Sequence, residues 1–470
     1  KKLLECLCDN IPDFDGIAGL AYRSSDKIIK TKSPLITERL DSIPSPYTVE
    51  MLKVIGNKIA YFESSRGCPF SCSYCLSSTF EGVRYFSLQR VKNELLLLIN
   101  YGVQQIKFVD RTFNCNKERA REIFKYIIET VKETSNQINF HFEVAADLFN
   151  EELFELLESA PPGLFQFEIG IQTTNLKILD IINRKTDIEK ISESVQRLKR
   201  MGNIRLHLDL IAGLPEEDYN SFKNSFNQVY SMKPDQLQLG FLKMLKGSKI
   251  REEARQYDYE YKCNQPYEVL SNRSMSFDVI NKLKGIEEIF DRYFNSGKFK
   301  YSLNFIISFF SKSAFELYEE LYNYFLNNGL YNKSYSVRDL YKILLGFFNE
   351  FSSKSEVDIL NDLLKMDYLS SDNSNNLPVN INRIIIPGFK ELCFNFLKDL
   401  NNIDKYIPGF IGVASKNIYK DVHFEVFDFD ISKGFKGMFL SKNRNVILFD
   451  YSEKNRVTGL YKFQKIPMSL

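Results

Sequence analysis

Three cysteines in one short run are the residues of this sequence best suited to metal chemistry. Cys68, Cys72 and Cys75 occupy the segment SSRGCPFSCSYCLSS with the spacing C-x3-C-x2-C. A cubane iron–sulfur cluster is usually held by four thiolates. This run offers three, and the next cysteine, Cys115, lies forty residues further along. Three thiolates would leave one iron open, and an open iron can bind a small molecule and act on it.

Zinc is the main rival for these thiolates. A structural zinc site needs four ligands, usually with a second pair nearby in sequence. The chain has three histidines, His141, His207 and His423, and none is close to the cysteines in sequence. His141 and His207 fall on predicted strands, where a buried histidine with a hydrogen-bonding partner is the simpler interpretation. The run therefore favours iron over zinc.

Composition limits the function classes. The 470 residues are 44% hydrophobic and 26% charged, with a net charge of +2. This is the composition of a globular protein with a large core. The balanced charge argues against a nucleic-acid partner, and no apolar run approaches the roughly 18 residues of a membrane helix. Five of the eight cysteines are scattered, which is not a disulfide framework. Because thiolates that bind iron need a reducing compartment, we expect a cytoplasmic protein.

Strand and helix patterns alternate between residues 57 and 250. Apolar segments predict six strands, at 59–64, 104–110, 139–147, 164–172, 204–213 and 235–245. Helical patterns lie between them, at 91–100, 117–133, 151–159, 176–182, 188–201 and 217–232. This order predicts a parallel sheet with right-handed connections, either doubly wound or curled into a barrel. In both architectures ligands bind at the carboxyl ends of the strands.

Polar or turn residues end the predicted strands. The cysteine run follows the first strand, and the next four strands end at Asp110, Glu143, Gln172 and the turn Gly213-Leu214-Pro215. Any one of these residues could simply be a turn or cap residue. Their convergence with the cysteine loop at one mouth of the sheet instead favours a ligand-binding site there.

The cysteine run, with the aromatic Tyr74 before its third cysteine, resembles the cluster loop of the radical S-adenosylmethionine (SAM) superfamily. Four later segments are similar to strand segments of the cobalamin-associated branch of that superfamily: FVDRTFN (108–114), IGIQTTNLKILDIINR (169–184), DLIAGLPEE (209–217) and LGFLKMLKGS (239–248). The similarity spans roughly 58–250, and the cysteine motif is its most specific part. It implies an α/β fold, a partial (β/α)6 TIM-like barrel.

The resemblance implies a cofactor pair. Cys68, Cys72 and Cys75 would ligate a [4Fe–4S] cluster, and the amino and carboxylate groups of SAM would complete its open iron. Reductive cleavage of SAM would then give a 5′-deoxyadenosyl radical that abstracts hydrogen from a substrate. The protein would position the reactants and exclude water.

The resemblance also suggests residues that contact SAM. They are Tyr74 along the adenosine, Glu143 and Gln172 at the amino or ribose groups, Arg184 at the carboxylate, and Gly213 and Leu214 in the adenine wall. The superfamily often places Gly-Gly-Glu after the second strand, whereas this chain has residues 109–112, Val-Asp-Arg-Thr. Backbone carbonyls can bind the amino group of SAM, so Asp110 is a candidate whose side-chain role stays open.

Three regions are predicted along the chain. Residues 1–56 are expected to be the remnant of an upstream, cobalamin-type domain plus a linker, with a hairpin in IAGLAYRSSDKIIK (17–30). Residues 57–250 are the barrel. No D-x-H-x-x-G motif is present, so cobalamin would depend on an upstream domain missing from this chain.

Residues 251–470 form the predicted C-terminal region. Helical stripes run through 268–350, and HFEVFDFD, GFKGMFLSKN and NVILFDYS predict a small antiparallel unit. The segment PYEVLSNRSMSF (266–277) and the following helices resemble a domain of unknown function that follows the core in one bacterial family. This region would cap the barrel mouth, or else serve packing or oligomerisation.

The leading expectation is a radical SAM enzyme, with methyl transfer to an unactivated carbon or another rearrangement if cobalamin is available. Two alternatives stay open: hydrogen abstraction without cobalamin, and a non-enzymatic cluster protein that carries electrons or senses redox state. The expected partners are an unidentified substrate and a reductant such as flavodoxin or ferredoxin, with no nucleic acid and no membrane.

Overall fold

The structure is a computed structural model that describes residues 2–8, 12–33, 37, 39–55, 58–79, 82–134, 137–310, 313–373, 376–431 and 442–468. The N-terminal region has two short helices and a hairpin: α1 Lys2–Leu7, β1 Ala21–Ser24, β2 Lys27–Lys30 and α2 Val49–Ile55. The two strands pair antiparallel across the Ser-Ser-Asp turn, which confirms the predicted hairpin.

A parallel sheet forms the centre of the molecule. The strands of this region are β3 Ala60–Phe62, β4 Ser65–Gly67, β5 Val83–Tyr85, β6 Gln105–Phe108, β7 Asn139–Glu143, β8 Phe165–Gln172, β9 Arg205–Ala212 and β10 Gln236–Phe241. Six of them make one sheet in the order β3-β6-β7-β8-β9-β10, and every pair is parallel. Each strand thus pairs with the next one of the series, as in a (β/α) barrel. The predicted α/β class and the six strands are confirmed.

The helices between these strands cover one face of the sheet. They are α3 Leu88–Asn100, α4 Lys117–Glu133, α5 Glu151–Glu158, α6 Leu176–Ile181, α7 Ile188–Met201 and α8 Tyr219–Ser231. The sequence determines α7 locally. Asp187 accepts a hydrogen bond from the Lys190 N–H at its start, and Gly202 ends it in the left-handed region at φ 71°. Its buried positions, among them Ile191, Val195 and Leu198, fall on one stripe.

Strand β8 shows how the sheet separates its two faces. In FQFEIGIQ the residues Phe165, Phe167, Ile169 and Ile171 are buried, whereas the alternate positions are partly accessible. Successive side chains of a strand point to opposite faces. The apolar set therefore packs beneath the helices, and the polar set, including Glu168, faces the inside of the barrel.

The C-terminal region is helical and then β. It comprises α9 Lys249–Glu252, β11 Glu260–Tyr261, β12 Val269–Ser271, α10 Phe277–Phe290, α11 Lys300–Phe310, α12 Ala314–Asn327, α13 Val337–Asn349, α14 Lys354–Ser371, α15 Phe389–Lys398, α16 Leu400–Tyr406, α17 Ser415–Asp421, β13 Val422–Phe429, β14 Lys442–Lys454 and β15 Tyr461–Ile466. The hydrophobic core of the barrel continues into these helices as one cluster, and a smaller second cluster surrounds β13. The helical pattern is confirmed, and the domain division at residue 250 stays a prediction.

The last three strands make an antiparallel sheet in the order β13-β14-β15. This confirms the small terminal β unit. Residues 434–441 of the predicted segment GFKGMFLSKN lie outside the described residues. The third strand of the described sheet is β15, whose sequence YKFQKI was not predicted. Within the described ranges, no helix is both long enough and apolar enough to cross a bilayer.

Candidate active site

The cysteine loop begins in a two-stranded ribbon. Strand β4 pairs antiparallel with β5, and Gly67 at its end has φ +106°. A Cβ at this position would lie 2.1 Å from the carbonyl oxygen of Gly82. Only glycine therefore allows the chain to turn into the cysteine run here.

Two backbone hydrogen bonds fasten the loop to later parts of the chain. The Ser73 N–H donates to the Ile182 carbonyl at 2.9 Å, and the Ser73 carbonyl accepts from the Ile250 N–H at 2.9 Å. These contacts hold the cysteines over the carboxyl edge of the sheet, between the end of α6 and the start of α9.

A cavity of about 210 Å³ lies beneath the loop. It brings together seven of the predicted site residues: Cys68, Cys72, Tyr74, Cys75, Glu143, Gln172 and Arg184. Because β7, β8 and the loop each contribute to its lining, the cavity sits at the mouth of the barrel, where the strand order predicted a ligand site.

The surroundings of the thiols suit an iron–sulfur cluster. The Ser77 N–H donates to Cys75 Sγ at 3.4 Å, and Thr112 Oγ1 lies 3.5 Å from Cys68 Sγ. Cys72 is only 5% exposed. Hydrogen bonds to sulfur and limited solvent exposure are the features by which proteins tune such clusters.

The same thiols are not preformed for a single ion. Among the described residues, no three His, Cys, Asp or Glu side chains are gathered closely enough to hold one metal ion. The three cysteines nevertheless face a common cavity. A cubane is much wider than a single ion, so thiols spread around a cavity fit the cluster better than zinc.

A fourth thiolate does not line the described part of this cavity. Cys115 lies elsewhere, with its Sγ 3.5 Å from the hydroxyl of Tyr85. His141 and His207 are not in the lining either. Three protein ligands for a cluster, with the fourth place left to a bound molecule, is the arrangement that the described side chains support.

Arg184 connects the loop to the sheet. Its Nη1 lies 3.8 Å from Cys72 Sγ and donates to the Tyr74 hydroxyl at 3.3 Å, while its Nη2 donates to the Gly170 carbonyl. Burial raises the pKa of the Cys72 thiol, and the Arg184 guanidinium opposes that shift. The arginine thus stabilises the thiolate form that an iron ligand requires.

Asp110 lies outside the cavity lining. Its carboxylate accepts hydrogen bonds from the Ser64 N–H at 2.9 Å and the Ser64 hydroxyl at 2.7 Å, and it also accepts from the Ser65 hydroxyl. At 1% exposure, this side chain anchors the start of the cysteine loop instead of reaching toward a ligand. The neighbouring Arg111 and Thr112 line the cavity in its place.

Gly213 and Leu214 also lie outside the cavity lining. The Gly213 carbonyl accepts from the Tyr259 hydroxyl at 2.9 Å and the Asn272 amide at 3.1 Å. Leu214 is fully buried. Since these groups face residues 259–272, the turn joins the barrel to the C-terminal region, and an adenine wall formed by its backbone stays a prediction.

The structure reveals an ionisable cluster inside the barrel that the sequence reasoning missed. Glu168 Oε2 lies 2.8 Å from His141 Nε2 and 3.2 Å from Lys107 Nζ. Contact with His141, and then with Lys107, lowers the pKa of Glu168 to about 2. Glu168 lines the cavity, so this group of paired, oppositely charged side chains lies below the cysteines.

A second pair adjoins this group. His207 Nε2 lies 3.2 Å from Asp209 Oδ1, a buried atom that has no well-aligned hydrogen bond to any residue in the described ranges. Burial lowers the pKa of His207 to about 4 and raises the pKa of Asp209. The register places Glu143, Glu168 and His207 side by side on β7, β8 and β9.

Glu143 is the cavity residue best poised to titrate. Burial, reinforced by repulsion from Glu168, raises its pKa to about 7. The signal that could have exposed the whole cluster is the alternation of FQFEIGIQ and RLHLDLIA, in which every second residue is polar or small except for one isoleucine. Because successive side chains of a strand point to opposite faces, this alternation indicates a polar set of side chains facing the inside of the barrel.

Two family models match consecutive parts of the chain. Residues 62–229 match the radical SAM superfamily, and residues 255–449 match a protein family of unknown function, DUF4080. The chain therefore contains a radical SAM domain followed by a DUF4080 domain. This confirms the predicted family, and the [4Fe–4S] cluster and SAM are the cofactors of such a domain.

Curated relatives match parts of the chain. A stretch of 130 residues is 35% identical to an uncharacterized methyltransferase of Pyrococcus horikoshii, covering 26% of this chain and 28% of that protein. A stretch of 243 residues is 25% identical to the cobalamin-dependent radical SAM methyltransferase TokK of Streptomyces tokunonensis, covering 49% and 35%. The chain thus spans about a third of the length of these two relatives.

Solved structures resemble the chain more distantly. The methyltransferase TsrM from Kitasatospora setae aligns over 55% of this chain and 54% of that one, at 15% identity and a TM-score of 0.45. The cobalamin-dependent SAM radical enzyme OxsB aligns over 76% and 64%, at 13% identity and a TM-score of 0.46.

Proposed function

We propose that this chain is the catalytic part of an enzyme that reductively cleaves SAM at a [4Fe–4S] cluster held by Cys68, Cys72 and Cys75. The observation that carries the proposal is that these thiols face one cavity together with polar side chains from β7 and β8. When bound, the cluster and SAM supply one-electron cleavage of the sulfonium and removal of a hydrogen atom from the substrate.

Arg184 has two roles in this proposal. It donates to the Tyr74 hydroxyl and lies beside the Cys72 sulfur, so its positive charge offsets the cost of burying a thiolate. Through the Gly170 carbonyl it also fixes the loop relative to β8. Tyr74 then forms a wall of the cavity. A direct contact between Arg184 and the SAM carboxylate would use the same guanidinium.

Glu143 and Gln172 are proposed to bind the amino or ribose groups of SAM. Gln172 Oε1 is buried and accepts no hydrogen bond from any described residue, although Gln172 lines the cavity. A buried acceptor of this kind is costly unless a ligand satisfies it. Glu143, with a pKa raised to about 7, can become ionised when a cationic group arrives beside it.

We further propose that the reaction is cobalamin-dependent methyl transfer to an unidentified substrate. Support comes from the relatives, since TokK is named a cobalamin-dependent radical SAM methyltransferase and the Pyrococcus protein a methyltransferase. Neither name identifies the substrate of this chain. Hydrogen abstraction without cobalamin remains the alternative outcome of the test below.

Anaerobic reconstitution of the chain tests both levels of the proposal. We expect about four irons per chain and formation of 5′-deoxyadenosine from SAM with dithionite, which replaces a protein reductant such as flavodoxin or ferredoxin. Added hydroxocobalamin should give S-adenosylhomocysteine as well if the methyl group of SAM is transferred. Formation of 5′-deoxyadenosine without S-adenosylhomocysteine, in a chain whose absorption spectrum shows that it retains the added cobalamin, would favour hydrogen abstraction alone. A reconstituted cluster that leaves SAM intact would contradict the enzyme proposal.

A further inference from the structure

The C-terminal region contains a second cavity, of about 330 Å³, that shares no residue with the cysteine site. It lies where β13 meets the start of α15 and the end of α17. Four polar residues line it, namely Arg383, Lys390, His423 and Glu425. Arg383 and Lys390 are cationic and His423 can be protonated, so the polar lining favours a negatively charged occupant.

Among the described lining residues the single carboxylate, Glu425, is already neutralised. Glu425 is 2% exposed, and its Oε2 accepts from Arg383 Nε at 2.9 Å and lies 3.0 Å from His423 Nε2. A buried carboxylate with two such partners has little attraction left for a cationic ligand. Glu425 instead fixes the Arg383 guanidinium and the His423 imidazole at the cavity wall.

Lys390 supplies the charge that is not neutralised. Within the described part of the chain its ammonium makes no ion pair, and its backbone N–H makes no hydrogen bond. It lies in the first turn of α15, which begins after Gly388, a residue with no side chain to cap the helix. The positive end of this ten-residue helix adds to the charge of the exposed Lys390, so both features favour an anion at this edge of the cavity.

The remaining walls are apolar. Phe389, Tyr419 and Phe424 line the cavity, and Cys393, at 1% exposure, faces it without a hydrogen bond to another described residue. Burial raises the pKa of Cys393 to about 12, so its thiol stays protonated and adds no negative charge. The thiol is a weak donor that an anion could accept.

We propose that this cavity binds a small organic anion, with one carboxylate or phosphate group on an aromatic or aliphatic body. The anionic group would lie against Lys390 and the start of α15, and the apolar body against Tyr419 and Phe424. Pockets of this type use a few placed polar groups for orientation and apolar walls for affinity. The site would give the DUF4080 region a ligand of its own, independent of the radical chemistry.

Calorimetric titration of the full chain with three probes of equal ring size tests the proposal. Phenyl phosphate, benzoate or both should bind, whereas benzylamine should not. Binding of phenyl phosphate alone assigns a phosphate ligand, and binding of benzoate alone assigns a carboxylate. Equal binding of benzylamine, or no binding of either anion in the millimolar range, would overturn the proposal.

A charge reversal tests the location. Lys390→Glu should weaken binding about tenfold or more, because a charge-assisted contact becomes a repulsion. The control is Lys398→Glu, the same change on an exposed lysine at the other end of α15, which should bind as the unmodified chain does. Both variants should keep the circular dichroism spectrum of the unmodified chain.

Unchanged affinity in Lys390→Glu would place the anion elsewhere and overturn the assignment. The anionic probes should bind to Cys72→Ala with the same affinity as to the unmodified chain. The anion site would therefore stand or fall independently of the cluster proposal.

Discussion

Two groups of buried charge in this molecule differ in how completely they are satisfied. In the barrel, Glu168 contacts His141 and Lys107, but Asp209 beside them keeps a buried oxygen without a well-aligned hydrogen bond. In the helical region, Lys365 is fully buried and donates to the Val426 carbonyl at 2.8 Å.

In the helical group, the charged side chains are satisfied by one another and by nearby backbone groups. Lys365 Nζ lies 3.0 Å from Asp362 Oδ1, and Asp362 Oδ2 accepts from the Asp428 and Phe429 N–H groups at 2.7 and 3.1 Å. These bonds join α14 to β13. The barrel group instead opens onto the cavity under the cysteines. A satisfied buried network holds elements together, whereas an incompletely satisfied one beside a cavity is where a ligand can complete it.

The largest expected effect separates function from stability at the cysteine loop. Cys72→Ala should abolish SAM cleavage, because two thiolates cannot hold the cluster. Its far-ultraviolet spectrum and urea midpoint should hardly change. The measurement is iron content together with 5′-deoxyadenosine by chromatography. Cys263→Ala, on an exposed cysteine outside both cavities, is the matched control. Residual cleavage in Cys72→Ala at the parent rate would refute the ligand assignment.

At Lys365 we expect the opposite result, a loss of stability without a loss of SAM binding. Lys365→Met removes one partner of a buried ion pair and leaves the Asp362 carboxylate uncompensated, at a cost of about 3–5 kcal/mol in the free energy of unfolding. The urea midpoint should fall, while SAM binding to the folded chain stays the same. Lys354→Met, on an exposed lysine of the same helix, should move the midpoint little. An unchanged midpoint in Lys365→Met would mean that the network does not join α14 to β13 energetically.

Arg184 lies between these extremes, since it is only partly buried, unlike Lys365, and it lines the cavity. Arg184→Lys keeps the charge and loses the forked donor that reaches Cys72, Tyr74 and Gly170 together. Groups that orient metal ligands typically contribute a factor of about 10–100. We expect weaker SAM binding of that order and an altered electron paramagnetic resonance signal of the reduced cluster. A loss of binding with an unaltered signal would assign Arg184 to SAM alone.

The sequence was informative where the signal is local. Each helix of the barrel has its own apolar stripe, and α4 and α7 begin and end as predicted, because caps such as Asp187 lie within the helix's own sequence. The cysteine spacing is equally local. The strand β15 escaped prediction because its sequence YKFQKI is short and its alternation of apolar and polar residues breaks at Lys465.

The sequence was uninformative where partners are distant. Glu168 and Lys107 are 61 residues apart and meet only because β6, β7 and β8 adopt one register. Asp110 ends its strand as a ligand-binding residue would, yet Ser64 and Ser65 occupy its carboxylate. A polar residue at a strand end therefore predicts the edge of the sheet, but whether its side chain faces the cavity depends on neighbours that the local pattern does not reveal.

The smallest expected effect is a pH dependence that belongs to the barrel group alone. The pKa of Glu143 is raised from 4.5 to about 7, so in the folded chain the carboxyl is largely neutral below pH 7 and ionised above it. If its carboxylate binds the cationic amino group of SAM, affinity should rise severalfold as the pH increases through about 7. Glu143→Gln should bind SAM with the weaker, low-pH affinity and lose this increase. The difference between the two titration curves, measured by calorimetry from pH 6 to pH 8, isolates Glu143 from the titration of SAM itself. Parallel curves would remove Glu143 from the SAM site and leave it, like Asp362, as a structural carboxylate.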